Sequence, residues 1–202
     1  GPFIDPTYVI AENRDPKHVL LVNPSLAKGA AIVIRLAMML ENERPDITFE
    51  VVQSRGNWEA LVRQVTKQFG EERSSLRNVI LTPNTPDMRP IYARAKVLLA
   101  LSLWWESFGR VAAEAAMNGI PVLHTNRGGL PEAAGKAGIK YDLPNNCFKA
   151  PYTALPADDR LTKLSQKLAA IYDTQTEPTT YNDRLIESST KRLQSAITGA
   201  TT

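Results

Sequence analysis

Six short apolar runs, separated by stretches of helical periodicity, constrain this 202-residue chain more than any other feature. His18–Val22 (HVLLV), Ile47–Val52 (ITFEVV), Asn78–Leu81 (NVIL), Val97–Leu101 (VLLAL), Ile120–His124 (IPVLH) and Ile139–Asp142 read as strands. Their near-continuous apolar character is what a sheet covered on both faces requires. Between them, Ala30–Asn42, Asn57–Phe69, Asp87–Ala95, Arg110–Asn118 and Leu130–Lys136 carry helical patterns. Trp58, Leu61, Val62, Val65 and Phe69 make one apolar stripe of the kind a helix lays on a sheet. A βαβαβ alternation demands a parallel sheet with right-handed crossovers. The expected fold is an α/β, Rossmann-like parallel sheet flanked by helices, in one domain over residues 18–173.

The flanks read differently. Residues 1–17 fit a linker, beginning with the remnant of a tag or of an excision, because the chain starts Gly-Pro and not with Met. Asn145–Pro156 reads as loop and Leu161–Tyr172 as an amphipathic helix. Residues 174–180 (TQTEPTT) read as a polar linker, and residues 181–202 as a last helix, Arg184–Ile197, with its tail. A net charge of +3, with Lys and Arg scattered among acids, argues against a nucleic-acid partner. The longest helix-like apolar run, Ala30–Leu40, is interrupted by Arg35 and falls short of the ~20 residues a bilayer span needs. A single cysteine, Cys147, makes a reducing cytoplasm the simplest home, and the mild basicity leaves peripheral contact with an anionic membrane open.

Ligands of open parallel sheets bind where strand ends lead into helix N-termini. After the first strand comes Asn23-Pro-Ser-Leu-Ala-Lys28-Gly29, which offers a cation and a close backbone approach beside a helix start. Neither G-x-x-x-x-G-K-[ST] nor G-x-G-x-x-G is present, which argues against P-loop ATPases and dinucleotide oxidoreductases. After the fourth strand, Glu106 lies in a loop, Gly109 opens a helix and Glu114 sits inside that helix among small apolar residues. A buried carboxylate there needs partners, and a carboxylate binds diol hydroxyls well. Backbone amides at Phe108 and Gly109 lie where an anion would be held. A third strand end reads Arg127-Gly128-Gly129-Leu-Pro131-Glu132. Each of these also has a plain structural reading: a surface turn, a solvated acid, a turn into the next helix.

Taken in order, these elements resemble the donor-binding half of a GT-B fold glycosyltransferase of the retaining family 4 type, the glycosyl transferases group 1. The resemblance rests on E-x7-E from Glu106 to Glu114, on Ser-Phe-Gly109, and on Glu114-Ala-Ala-Met-Asn-Gly119-Ile-Pro121. Gly128-Gly129-Leu-Pro131-Glu132 and the upstream Lys28-Gly29 complete it, over roughly residues 18–140. It implies a nucleoside diphosphate sugar as substrate, with no cofactor and no metal. Glu106 and Lys28 would be the catalytic pair. Glu106 would hold donor-sugar hydroxyls, and the Phe108 and Gly109 amides would touch sugar or diphosphate. Glu114 would take the ribose hydroxyls, Lys28 beside Gly29 would neutralise the diphosphate, and main-chain groups near Thr82–Thr85 would read the base.

Two departures stand out. Asn23 occupies the position of a second diphosphate-clamping Arg, so either phosphate affinity falls or another cation substitutes, with Arg110, and less directly Arg127, as the candidates. The family's acceptor-binding domain comes first in the chain, and nothing of it precedes His18. The partner implied is therefore a missing N-terminal domain, and this chain alone is expected to bind donor without transferring sugar to a glycan or lipid acceptor. The alternative is a non-catalytic nucleotide-sugar-binding subunit or module. A sugar epimerase shares the two-domain fold but not the E-x7-E loop.

Overall fold

The computed structural model describes residues 4–54 and 56–174. Its sheet has six parallel strands: β1 (His18–Val22), β2 (Thr48–Val52), β3 (Val79–Thr82), β4 (Ala95–Ala100), β5 (Val122–His124) and β6 (Gly138–Lys140). They lie in the order β3-β2-β1-β4-β5-β6. The helices are α1 (Ala30–Glu43), α2 (Trp58–Lys67), α3 (Arg89–Arg94), α4 (Arg110–Met117), α5 (Leu130–Ala134) and α6 (Asp158–Asp173). All six anticipated strands form. The last helix anticipated, Arg184–Ile197, and the linker beyond Thr174 lie outside the described residues.

Alternation along each strand divides the core in two. In β1, Val19 and Leu21 pack with α1, α2 and α6, whereas the intervening Leu20 packs with α3, α4 and α5. Helix α1 is buried along most of its length, so it reads as apolar almost all round. Boundaries moved where local chemistry decided them. Pro121 has no N–H to donate, and β5 begins only after it. Phe69 was expected in the apolar stripe of α2, but that helix ends at Lys67; the Phe69 ring instead lies under the Arg35 guanidinium, 4.0 Å from its centroid. Helix α6 starts at Asp158, with Asp158 and Asp159 in the first turn, where negative charge suits the macrodipole. The loop after β6 contains a 3-10 turn, Asn145–Phe148, that buries Cys147. Among the described residues no helix is long and apolar enough to cross a membrane.

The stretch ahead of β1, read from sequence as linker, is laid along the α3 and α4 side of the domain, with Val9, Ile10 and Ala11 buried. Asn118, fully buried after α4, holds it: Oδ1 accepts from the Ala11 amide at 2.8 Å, and Nδ2 donates to the Val9 carbonyl at 2.9 Å. Arg14 then donates to the carbonyls of Asn118 (2.8 Å), Ala95 (2.7 Å) and Tyr92 (3.3 Å). Asn118→Ala strands a buried donor and a buried acceptor, each costing about 1–3 kcal/mol. The expected outcome is a loss of ~3 kcal/mol of stability, seen as a lower urea midpoint at unchanged slope.

Candidate active site

In the sheet order, β1 and β4 are neighbours whose succeeding strands lie on opposite sides, which opens a crevice at their carboxyl ends. A cavity of about 400 Å³ occupies it, with Asn23, Lys28, Ser102, Glu106, Phe108 and Arg110 among its lining. Its walls are three loops fastened to one another through backbone. Gly29 has φ +80°, and a Cβ there would run into the Leu101 carbonyl oxygen. The Leu103 amide donates to the Ala27 carbonyl at 2.8 Å, so the loop after β1 is fixed to the loop after β4. Gly128, at φ +58°, lies against the Glu106 backbone where no side chain fits, and the Gly129 amide donates to the Glu106 carbonyl at 2.9 Å. The sparse side chains of the Gly-Gly turn are thus a condition for placing Glu106.

Glu106 is 7% exposed and forms an ion pair with Lys28 Nζ through Oε1. The Ser102 hydroxyl donates to the same oxygen at 2.6 Å. Burial raises the pKa of this carboxyl, but the hydrogen bonds from Lys28 and Ser102 and the charge of Lys28 outweigh it, holding Glu106 below the usual carboxylate range. Lys28 also lies over the Trp104 ring, 5.6 Å from its centroid. Glu114, on α4, is 4% exposed and has both oxygens engaged: Tyr92 donates its hydroxyl to Oε2 at 2.6 Å, and Arg110 Nε donates to Oε1 at 2.6 Å. The first N–H groups of α4 have no intrahelical acceptor, and the helix dipole adds positive potential there.

The residues singled out in the sequence separate into groups. Asn23, Lys28, Glu106, Phe108, Gly109 and Arg110 line the cavity, and Asn23 does so from a left-handed conformation, φ +59°. Gly29 stands behind Lys28. Glu114 sits one turn behind Arg110, outside the lining. Thr82 and Thr85 also lie outside the lining. The Thr82 hydroxyl donates to Glu50 at 2.6 Å and its carbonyl accepts from Gln53, while the Thr85 hydroxyl bonds to the main chain of Asp87. Arg127 is turned onto aromatic rings, with Trp105 at 5.3 Å and Phe148 at 4.7 Å, and is not part of the cavity wall. Sequence reasoning did not find Ser102, Tyr92 or Asn118. Ser102 stands four residues before Glu106 and offered a signal; Tyr92 passes for an apolar position of α3. Among the described residues no cluster of His, Cys, Asp and Glu is placed to hold a metal ion.

A carboxyl whose pKa is lower folded than unfolded stabilises the fold above the unfolded value, and this contribution is lost as pH falls through the folded value. Replacing Glu106 by Gln removes the contribution. Urea unfolding from roughly pH 6 to roughly pH 3 should therefore show a shallower acid decline for Glu106→Gln than for the wild type.

Comparison with known proteins identifies the family and the fold. The description of the family "Glycosyl transferases group 1" matches residues 10–150. A D-inositol 3-phosphate glycosyltransferase of Pseudarthrobacter chlorophenolicus is 29% identical over 155 residues, 71% of this chain and 34% of the relative. The chain thus spans about a third of the length of the curated relatives it matches. The crystal structure of the C-terminal domain of a glycosyl transferase group 1 family protein from Francisella tularensis superposes with a TM-score of 0.59 at 17% identity, covering 85% of this chain and 89% of that one. A pneumococcal O-GlcNAc transferase, in complex with UDP and GlcNAc, superposes with a TM-score of 0.51 at 19% identity, covering 94% of this chain and 38% of that one. The fold is that of one Rossmann-like half of a GT-B glycosyltransferase, and the chain belongs to the glycosyl transferases group 1 family.

Proposed function

We propose that this chain is the donor-binding half of a retaining glycosyltransferase that moves a sugar from a nucleoside diphosphate sugar to a glycan or lipid acceptor. The observation that carries the reading is the Lys28–Glu106 pair, set in the crevice at the sheet's switch point beside the N-terminus of α4. In the free chain the two charges satisfy each other. An incoming diphosphate takes Lys28, and the released Glu106 carboxylate accepts hydrogen bonds from the donor-sugar hydroxyls. Phe108 and Gly109 amides, with the dipole of α4, supply further positive potential to the diphosphate.

In the transfer step the bond from the anomeric carbon to the diphosphate oxygen breaks, and its electron pair leaves with the diphosphate. Lys28 stabilises the charge as it develops. An acceptor hydroxyl forms the new bond on the same face and gives its proton to the departing phosphate oxygen. The acceptor is held by a second wall of the cleft, the N-terminal domain implied by the family, so donor binding is the activity assigned to these 202 residues. Arg110, exposed and lining the same cavity, supplies the second cation that Asn23 does not.

Calorimetry with UDP, GDP and ADP tests the reading, and UDP comes first because the pneumococcal relative was crystallised with it. One of the three should bind, and Lys28→Ala should weaken it by about tenfold or more, as expected for loss of a charged contact. Absence of binding by all three at millimolar concentration would overturn the assignment. Arg110→Ala should weaken the same nucleotide and also lower the melting temperature, because the buried Glu114 carboxylate loses one of its two side-chain donors. Unchanged affinity in that variant would remove Arg110 from the diphosphate site.

A further inference from the structure

Glu114 is held by three groups that differ in their freedom to move. Tyr92 is fully buried in α3 and donates to Oε2 at 2.6 Å. Asn118, also fully buried, donates Nδ2 to the main-chain carbonyl of Glu114 at 2.8 Å and fixes the backbone under the side chain. Arg110 donates to Oε1 from a side chain that is 72% exposed and lines the cavity. Tyr92 and Asn118 are therefore the fixed supports, and Arg110 is the movable one. Burial and the hydrogen bond to Glu114 push the pKa of Tyr92 far up, so its hydroxyl remains a donor.

A carboxylate offers about four acceptor sites. Tyr92 uses one on Oε2. Once Arg110 is drawn to a diphosphate, both sites on Oε1 and the second on Oε2 are open, on two oxygens of one rigid group. Such a pair suits two neighbouring hydroxyls, which a ribose presents and a dideoxyribose lacks. Without the phenol hydroxyl nothing fixes Oε2, and the carboxylate is free to turn out of the orientation that meets two neighbouring hydroxyls.

Resting on the donor-site reading above, we infer that Tyr92 is a positioning residue that aims Glu114 at the ribose diol and makes the site select ribonucleotides over their dideoxy forms. It touches no substrate. Its effect passes through Glu114, so its loss should alter recognition of the ribose and spare recognition of the diphosphate.

The test compares the full chain with Tyr92→Phe, which keeps the ring that fills α3's packing site. Three probes are titrated by calorimetry: the tightest-binding of UDP, GDP and ADP, the 2′,3′-dideoxy form of that nucleotide, and inorganic pyrophosphate. Wild type should prefer the ribonucleotide by roughly tenfold or more, as expected for hydrogen bonds to a charged group. Tyr92→Phe should cut the preference to about threefold or less while pyrophosphate affinity stays within about twofold. An unchanged preference in the variant, no preference in wild type, or a parallel loss of pyrophosphate binding would each overturn the inference. Failure of wild type to bind any of the three nucleotides sinks the donor-site reading itself, which keeps the two failures apart. Should the variant lose its near-UV circular dichroism, tyrosine ζ-carbon NMR on wild type decides. One of the six tyrosine signals should move with the ribonucleotide and not with the dideoxy form; no such signal overturns the role of Tyr92.

Discussion

A carboxylate taken out of water must be met by donors, and much of this molecule is arranged around that requirement. Glu106 meets it with Lys28 and Ser102, and Glu114 with Tyr92 and Arg110. Each set draws its partners from separate parts of the chain. Lys28 follows β1, Ser102 follows β4, Tyr92 lies in α3 and Arg110 opens α4. Satisfying the two acids therefore forces the strand ends, the loops and the helix starts into one register.

Two further buried acids obey the same physics to a different end. Glu50, 1% exposed in β2, accepts from Arg94 at 2.5 and 2.8 Å and from Thr82 at 2.6 Å, tying β3 and α3 to the sheet. Glu41, at the end of α1, accepts from Arg73 at 2.7 Å and from the Arg77 amide at 2.6 Å; the hydrogen bond from Arg73 outweighs burial and lowers its pKa. Neither faces the crevice. Burial and ion pairing alone thus fail to distinguish a carboxylate on the crevice wall from a structural one. What separates Glu106 is its place at the switch point of the sheet, paired with Lys28 on the wall of the crevice.

The fold was legible because apolar strands covered on both faces have few other readings, and the order of β and α segments restricts topology. Glu106, Lys28 and Arg110 were legible because strand ends are where such sheets bind ligands. Tyr92, Asn118 and Arg14 were not, since each acts across a large sequence separation on a main-chain atom or a buried acid. Phe69 was misplaced because periodicity continues past the point where the backbone stops being helical. Thr82 entered with the resemblance, for a main-chain contact with the base; it closes β3, and its hydroxyl bonds to the buried Glu50. Pattern reading sees which face a residue shares. It does not see which orphaned polar group lies opposite.

The stretch laid over Asn118 changes how the domain responds to a load. A pull on the chain upstream of Val9 is delivered to the end of α4 through the amide of Asn118, and to the carbonyls of Tyr92 and Ala95 through Arg14, before it reaches β1. Mechanically the stretch is a rein on the helix that carries Glu114, because Asn118 grips the Glu114 carbonyl from the other side.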